Sequence, residues 1–313
     1  MIKKTNNDLI KKLKAFSFIE IAVVILVIGI LIIGISTGMD LYDEYQLTTA
    51  RNLTINSRVP RISNLELWLE TTNTKSFSEF NSSVTPNRYD YIKDIKDGKS
   101  IAKWNNLANN YAIIEDISAT QTNSSLQPTY IRSAINGIPA LYFDGKTDGT
   151  GDYLTFNSKF INNKIDVTMF IVEQRTAFGV AVSPYSVYQY IICGSDSNFN
   201  FGWNNTNPAR MRSITTSYDR PAKLNTPFIH VFQMGDDHGS SMFLNGSRMN
   251  YTTNKSTITS PSILYIAYFN RSWTQNWYTG LISEIIIYSK SLSNSERNDV
   301  EKYLSQKYKI RLE

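Results

Sequence analysis

Cysteine is almost missing. Cys193 stands alone among 313 residues, so no disulfide can form within the chain and its stability must come from a packed core. Cys193 falls in the apolar run "YQYIICGS", where it reads as a small buried hydrophobe. Histidine is scarce too. His230 alternates within a strand-like run and His238 sits in a polar turn, neither near a Cys or Glu cluster with metal spacing, which argues against zinc chemistry. Net basic charge is nearly missing outside the leader. Lys3, Lys4, Lys11, Lys12 and Lys14 against Asp8 account for +4 of the chain's +5, so there is no basic patch for nucleic acid. Proline is absent between Phe16 and Val59.

What is present begins with a long aliphatic run. From Ile21 to Ile35 every residue is Ile, Val, Leu, Ala or Gly. Extended from Phe16 to Gly38, the run is long enough for a helix to cross the roughly 30 Å hydrocarbon layer. It is apolar all round, so lipid or a helical bundle must surround it. The preceding lysines place the N-terminus in the cytoplasm and the rest of the chain outside it. A secretory signal peptide, an uncut anchor and cleavage ahead of the run are the three fates open to such a segment. Glu20 stands inside it, where an unpaired carboxylate is costly.

The basic leader, the small residue Ala15, and then "FSFIE" before the aliphatic stretch resemble a type IV prepilin or pseudopilin N-terminus. Ala15 stands where that family usually has glycine. The resemblance implies cleavage between Ala15 and Phe16 by a prepilin peptidase and N-methylation of Phe16. It also implies that Glu20 meets the new amine of a neighbouring pilin or pseudopilin subunit during assembly. The protein would be a single-pass protein of a bacterial inner membrane, with its C-terminal domain periplasmic or on a surface filament, in a type IV pilus or a type II secretion pseudopilus. After Gly38 the helix is expected to leave the membrane and run toward Ser57, with Pro60 at or just past its end.

From residue 65 onward, short alternating apolar runs are separated by Asn, Gly, Ser, Asp and Pro clusters. Strands are expected over 65–70, 139–145, 153–156, 166–176, 188–195, 199–203, 210–217, 228–235, 241–249, 262–269 and 280–290. This pattern argues for an all-β sandwich. A closing helix follows: Ser293 and Glu296 form a capping box, with Val300, Leu304 and Tyr308 on one face. "LELWLE", "DGKSIAKWNNLANN", "INGIPALYFDGKTDGTGDYLTF", "MFLNGSRM" (as a hairpin with Asn245–Gly246 at its turn) and "TGLISEIIIYSKSLSNSERNDVEKYLSQKYKI" together resemble a laminin-G-like, concanavalin A-like jelly roll. The expected fold is therefore mainly β, an antiparallel jelly-roll sandwich after a long transmembrane helix. The expected organisation is a leader 1–15, a helix 16–58 and a sandwich 59–313.

The jelly roll serves lectins, adhesion modules and glycosidases alike, so the fold alone names no activity. Retaining glycosidases need two carboxylates about 5 Å apart, and no alternating acid run occurs here. Glu284 stands alone, and Glu66 and Glu70 bracket an apolar strand. No Ser–His–Asp order or phosphate-cradling loop stands out. The chain is expected not to be an enzyme. The expected role is a minor pilin or pseudopilin that displays a recognition or adhesion domain toward a glycan or surface protein. The alternatives are a signal-anchored or secreted glycan-binding protein that never assembles and, behind it, a glycan hydrolase acting through Glu284. Two features could bind ligands. Asp144, Asp148 and Asp152 recur every four residues in "DGKTDGTGDY", as oxygen ligands for Ca²⁺ or as a plain turn. Trp273, Trp277 and Tyr278 in "FNRSWTQNWYTG" suit stacking on sugar rings, or packing at the core edge.

Overall fold

The computed structural model describes residues 18–81, 88–108, 117–146, 149–179, 188–194, 199–204, 209–220, 223–236, 239–259, 263–271 and 274–313. Ala15 and Phe16 lie outside them. The chain divides into two compact units, one up to Tyr45 and one over Gln46–Glu313.

Helix α1 spans Phe18–Asn56 with Glu20 in its first turn. It is long and apolar enough to cross a membrane. Its apolar side chains, from Phe18 to Ile35, are exposed. Ser36 and Thr37 donate their hydroxyls to the carbonyls of Ile32 and Ile33, at 3.0 and 2.9 Å, so two polar side chains are satisfied within the helix itself. The helix ends at Asn56, and a 3₁₀ turn Val59–Arg61 containing Pro60 follows. The second unit starts at Gln46, and Leu47, Ala50 and Thr54 of the last helical turns are buried in it.

The second unit is a β-sandwich. Its strands are β1 Leu65–Glu70, β2 Phe77–Asn81, β3 Arg88–Tyr91, β4 Lys103–Trp104, β5 Ala119–Thr120, β6 Thr129–Ile135 and β7 Ile138–Phe143. They continue with β8 Leu154–Asn157, β9 Val167–Arg175, β10 Tyr188–Gly194, β11 Asn200–Asn204, β12 Ala209–Arg212, β13 Ser217–Arg220 and β14 Phe228–Gly235. The last are β15 Gly239–Leu244, β16 Ser247–Thr252, β17 Ile263–Ile266, β18 Tyr268–Arg271, β19 Thr274–Trp277 and β20 Gly280–Tyr288, before helix α2 over Asn294–Tyr308. One antiparallel sheet, here the inner sheet, has the order β16-β15-β14-β9-β20-β7-β6, with β1 also pairing β20. The other, the outer sheet, has the order β13-β12-β11-β10-β17-β8-β5-β4-β2-β3.

Period-two alternation fixes which face each side chain takes. Along β9, Val167, Met169 and Ile171 enter the core between the sheets. Phe170 and Val172 face a second core, formed with Ala50, Val59, Val300, Leu304 and Tyr308. The inner sheet is thus covered on both faces, by the outer sheet and by a helical layer, and its central strands are apolar throughout. A bulge between Ile282 and Glu284 interrupts the β20–β9 ladder. It switches the alternation, as an extra residue does: Ile282, Ile285 and Ile287 enter the sandwich core while Glu284 turns toward the helices.

Three of the expected runs are not single strands, and in one of them, 241–249, the Asn-Gly turn of the expected hairpin is present. The run 210–217 is the hairpin β12–β13, turned where the Ser213 N–H donates to Thr216 O at 2.9 Å. The run 241–249 is the hairpin β15–β16, with Asn245 (φ 46°) and Gly246 (φ 86°) at its turn. The run 262–269 breaks at Ala267, a buried residue with φ 66°, and the chain leaves the outer sheet there to form the small hairpin β18–β19. The capping box at Ser293 and Glu296 is present, with both bonds made.

Candidate carbohydrate-binding face

The two features singled out in sequence, more than a hundred residues apart, are neighbours. A Cβ on Gly151 would lie 2.6 Å from Trp277 Cε3 and 2.7 Å from Lys146 O, so the Asp-rich loop is pressed against the hairpin β18–β19 and only glycine fits at the contact. Around this junction the outward residues of the outer sheet are aromatic. Leu264 and Ile266 of β17 fill the core, which turns Tyr265 outward, and Leu154 and Phe156 of β8 do the same for Tyr153. Tyr153 lies 5.1 Å from Tyr268 and 6.1 Å from Tyr265 by ring centroids. Tyr268 stacks on Trp277 at 4.1 Å. The band continues through Phe269 and Tyr190, 4.7 Å apart, to Tyr188, which stacks on Tyr190 at 5.4 Å.

Only some of these rings can meet a ligand. Tyr153, Tyr188 and Tyr265 are half-buried, whereas Tyr190, Tyr268, Phe269 and Trp277 are buried beneath or between them. Trp277, for which sugar stacking and packing at the core edge are the two sequence readings, is 4% exposed and serves as the floor of the band. Tyr278 is fully buried and faces the sandwich core, where its hydroxyl donates to Glu173 Oε2 at 2.6 Å. Burial and the adjacent Glu173 push its phenol well above the usual range. It cannot present its ring to a ligand, because the strand alternation points it inward. Trp273 and Asp148 lie outside the described residues.

The Asp-rich loop is closed by its own bonds. The Asp144 N–H donates to Asp152 Oδ2 at 3.2 Å, the Asp152 N–H to Asp144 Oδ1 at 3.0 Å, and Lys146 Nζ lies 2.6 Å from Asp144 Oδ2. Burial and the neighbouring Asp144 raise the Asp152 carboxyl to about 7. Calcium takes six to eight oxygens. These carboxylates hold backbone N–H groups and a lysine instead, and among the described residues no group of three His, Cys, Asp or Glu side chains could hold a metal.

Glu284, the isolated acid weighed as a hydrolase residue, lies away from this face. It is 1% exposed beneath α2, and it accepts from Trp68 Nε1, Tyr303 OH, Tyr308 OH and Lys307 Nζ at 2.8–2.9 Å. Every acceptor direction is occupied, so it is not placed to meet a substrate. Two buried sets escaped sequence reasoning. One is Glu173 with His230 (Nε2 to Oε1, 2.8 Å), Trp203 and Tyr278, inside the sandwich. The other is Glu70–Lys307–Glu284 beneath α2. The tyrosine face did leave a signal, since aromatic residues occupy the outward positions of alternating strands.

No family model and no curated protein matches the chain. Its fold is similar to that of a Trypanosoma rangeli sialidase, with a TM-score of 0.49 and 12% identity over 86% of this chain and 39% of that one. Domain 4 of an extracellular GH43 arabinanase from Geobacillus stearothermophilus, solved with arabinotriose, matches with a TM-score of 0.43 and 13% identity, over 66% of this chain and all of that domain. A pentraxin from Limulus polyphemus matches at 0.39 and 12%, over 50% of this chain and 78% of that one. The chain spans about two fifths of the sialidase's length. At these identities the likeness is one of fold. It corrects the expectation that the chain is not an enzyme: the matched structures include sialidases and part of an arabinanase, which are enzymes, so the architecture does not set this chain apart from them.

Proposed function

We propose that this chain is a single-pass envelope protein with a pilin-like N-terminal segment, and that its sandwich recognises carbohydrate through the tyrosine face of the outer sheet. The observation that carries the reading is the placement of Tyr153, Tyr188 and Tyr265. All three are half-buried on the outward side of the outer sheet, Tyr153 just ahead of β8, Tyr265 on the neighbouring β17 and Tyr188 on β10, over a floor of Tyr268 and Trp277. Flat aromatic surface with an apolar body and polar hydroxyls suits the apolar faces and hydroxyl rims of sugar rings. The leader and Glu20 supply the mode of anchoring. Prepilin peptidase would cut between Ala15 and Phe16, and Glu20 would pair with the methylated amine of a neighbouring subunit in a pilus or pseudopilus. Helix α1, apolar and exposed through Ile35, supports a membrane-held form before assembly.

Full-length protein in detergent, applied to a broad glycan array with and without Ca²⁺, tests recognition. Binding to a defined glycan set is expected, and its loss in Tyr265→Ala. Absence of binding in either buffer refutes the reading. Mass spectrometry of the mature N-terminus in native membranes tests the anchoring, with N-methylated Phe16 expected; an intact Met1 start would remove the pilin-like part.

A further inference from the structure

An open groove of roughly 650 Å³ lies on the helical side of the inner sheet, between strands β14–β16 and α2. It belongs to the opposite sheet from the tyrosine face, so it stands independently of the reading above. Its chemistry is lopsided toward donors. Arg297 lies flat over the Phe243 ring, 3.9 Å from its centroid. Its Nε donates to Glu301, its Nη1 to Asn294 Oδ1 and its Nη2 to Asn298 Oδ1, at 2.9–3.2 Å. Those three bonds use three of the five guanidinium N–H groups. They also orient both asparagines with their oxygens toward Arg297, which leaves their amide nitrogens as donors at the groove. Across from them, Arg248 is exposed beside the half-exposed ring of Tyr251. Gln233 spends its Nε2 inward on Ser291 Oγ and the Leu292 carbonyl.

The acids nearby do not cancel this bias. Glu301 is 2% exposed and sits behind Arg297 rather than in the lining. Glu313 packs at the Gly246 end, where the Ser247 hydroxyl donates to its carbonyl oxygen. Among the described residues, no carboxylate side chain lines the groove. Arg297 is ion-paired with Glu301 at 3.2 Å, so Arg248 supplies the groove's unbalanced positive charge. A ligand that meets it together with the remaining N–H groups of Arg297 and two amide donors is rich in acceptors and negatively charged. Arginine forks match carboxylates with two parallel bonds, and the ring of Tyr251 offers a flat wall to a sugar ring. We propose that this groove binds a carboxylate-bearing saccharide of the hexuronate kind. The carboxylate meets Arg248 and Arg297, and the hydroxyls meet Asn294, Asn298 and Gln233.

The test titrates full-length protein in detergent micelles with D-glucuronate, D-glucose and sulfate, read by saturation-transfer NMR. Saturable glucuronate binding is expected, with glucose and sulfate each at least tenfold weaker. Loss of a charge-assisted contact predicts about a tenfold rise in Kd for Arg248→Ala. Arg248 is exposed, so that variant should fold normally. Arg248→Glu should abolish binding. Equal affinity for glucose overturns the role of the charge. Equal affinity for sulfate overturns the saccharide. Binding that survives Arg248→Glu overturns the site.

Discussion

Replacing Lys307 by methionine probes the charge set beneath α2. Lys307 is 1% exposed, and its Nζ donates to Glu70 and Glu284, at 2.8 Å each. The two glutamates stand directly opposite one another in the β1–β20 register, an arrangement that like charges oppose. Burial works to lower the ammonium's pKa, but the two carboxylates outweigh it and hold Lys307 above its usual range. Burial likewise works to raise Glu70, and the Lys307 charge with bonds from Lys307, Thr72 and Ser76 holds it below the usual carboxylate range. Methionine fills similar volume and removes two charge-assisted bonds. Removing one partner of a buried ion pair costs about 3–5 kcal/mol. Neutral donors remain to both carboxylates, from Thr72, Asn73 and Ser76 and from Trp68, Tyr303 and Tyr308, which keeps the cost in that range. At about 2 °C per kcal/mol for a domain of this size, Tm should fall roughly 6–10 °C at pH 7. The assay is thermal denaturation of the full chain in detergent, followed by near-UV circular dichroism. Because Glu70 is depressed in the folded state, its stabilisation is present above about pH 4.5 and lost as pH falls through its folded value. The deficit of Lys307→Met should therefore shrink in acid. Adding Glu70→Gln and Glu284→Gln to Lys307→Met should recover most of the loss at pH 7. A shift under about 2 °C, or a triple variant no better than the single, would refute the reasoning.

Two further predictions rest on other observations. Ala267 is held at φ 66° by the bond from its N–H to Ile191 O and the bond its carbonyl accepts from Tyr278 N, both 2.9 Å. Ala267→Gly should relieve about 1 kcal/mol of left-handed strain and raise the urea midpoint; a lower midpoint would mean that the buried methyl outweighs the strain. Asp152, raised to about 7 by burial and Asp144, holds its proton more tightly folded than unfolded. Its contribution is full at low pH and is lost as pH rises toward 7. Asp152→Asn keeps an acceptor for the Asp144 N–H and should stabilise the protein at pH 8 by on the order of 1–2 kcal/mol, with no gain at pH 3; equal effects at both values would refute the assignment.

How far the sequence reveals this molecule depends on the range of the interaction that decides each feature. Local rules sufficed for α1, for the Asn245–Gly246 turn and for the capping box of α2, because each is decided within a few residues. They failed at Ala267, where backbone bonds to Ile191 and Tyr278, neither of them a sequence neighbour, hold an alanine in a conformation its own chemistry disfavours. They failed as well for the short strands β2 to β5, where two to five residues give period-two alternation little to repeat. Glu70 and Glu284 were visible as acids on apolar strands, but nothing nearby in sequence could show that Lys307 would come between them. A bulge of one residue in β20 decides that Glu284 faces the helices and not the sandwich core. The outward tyrosines were decided the same way, since Leu264 and Ile266 entering the core leave Tyr265 only the solvent side. An aromatic on the polar face of an alternating strand is thus the sequence signal for the candidate site. It is a stronger signal than a tryptophan in a polar loop, because the strand fixes the direction of the ring while the loop leaves it open.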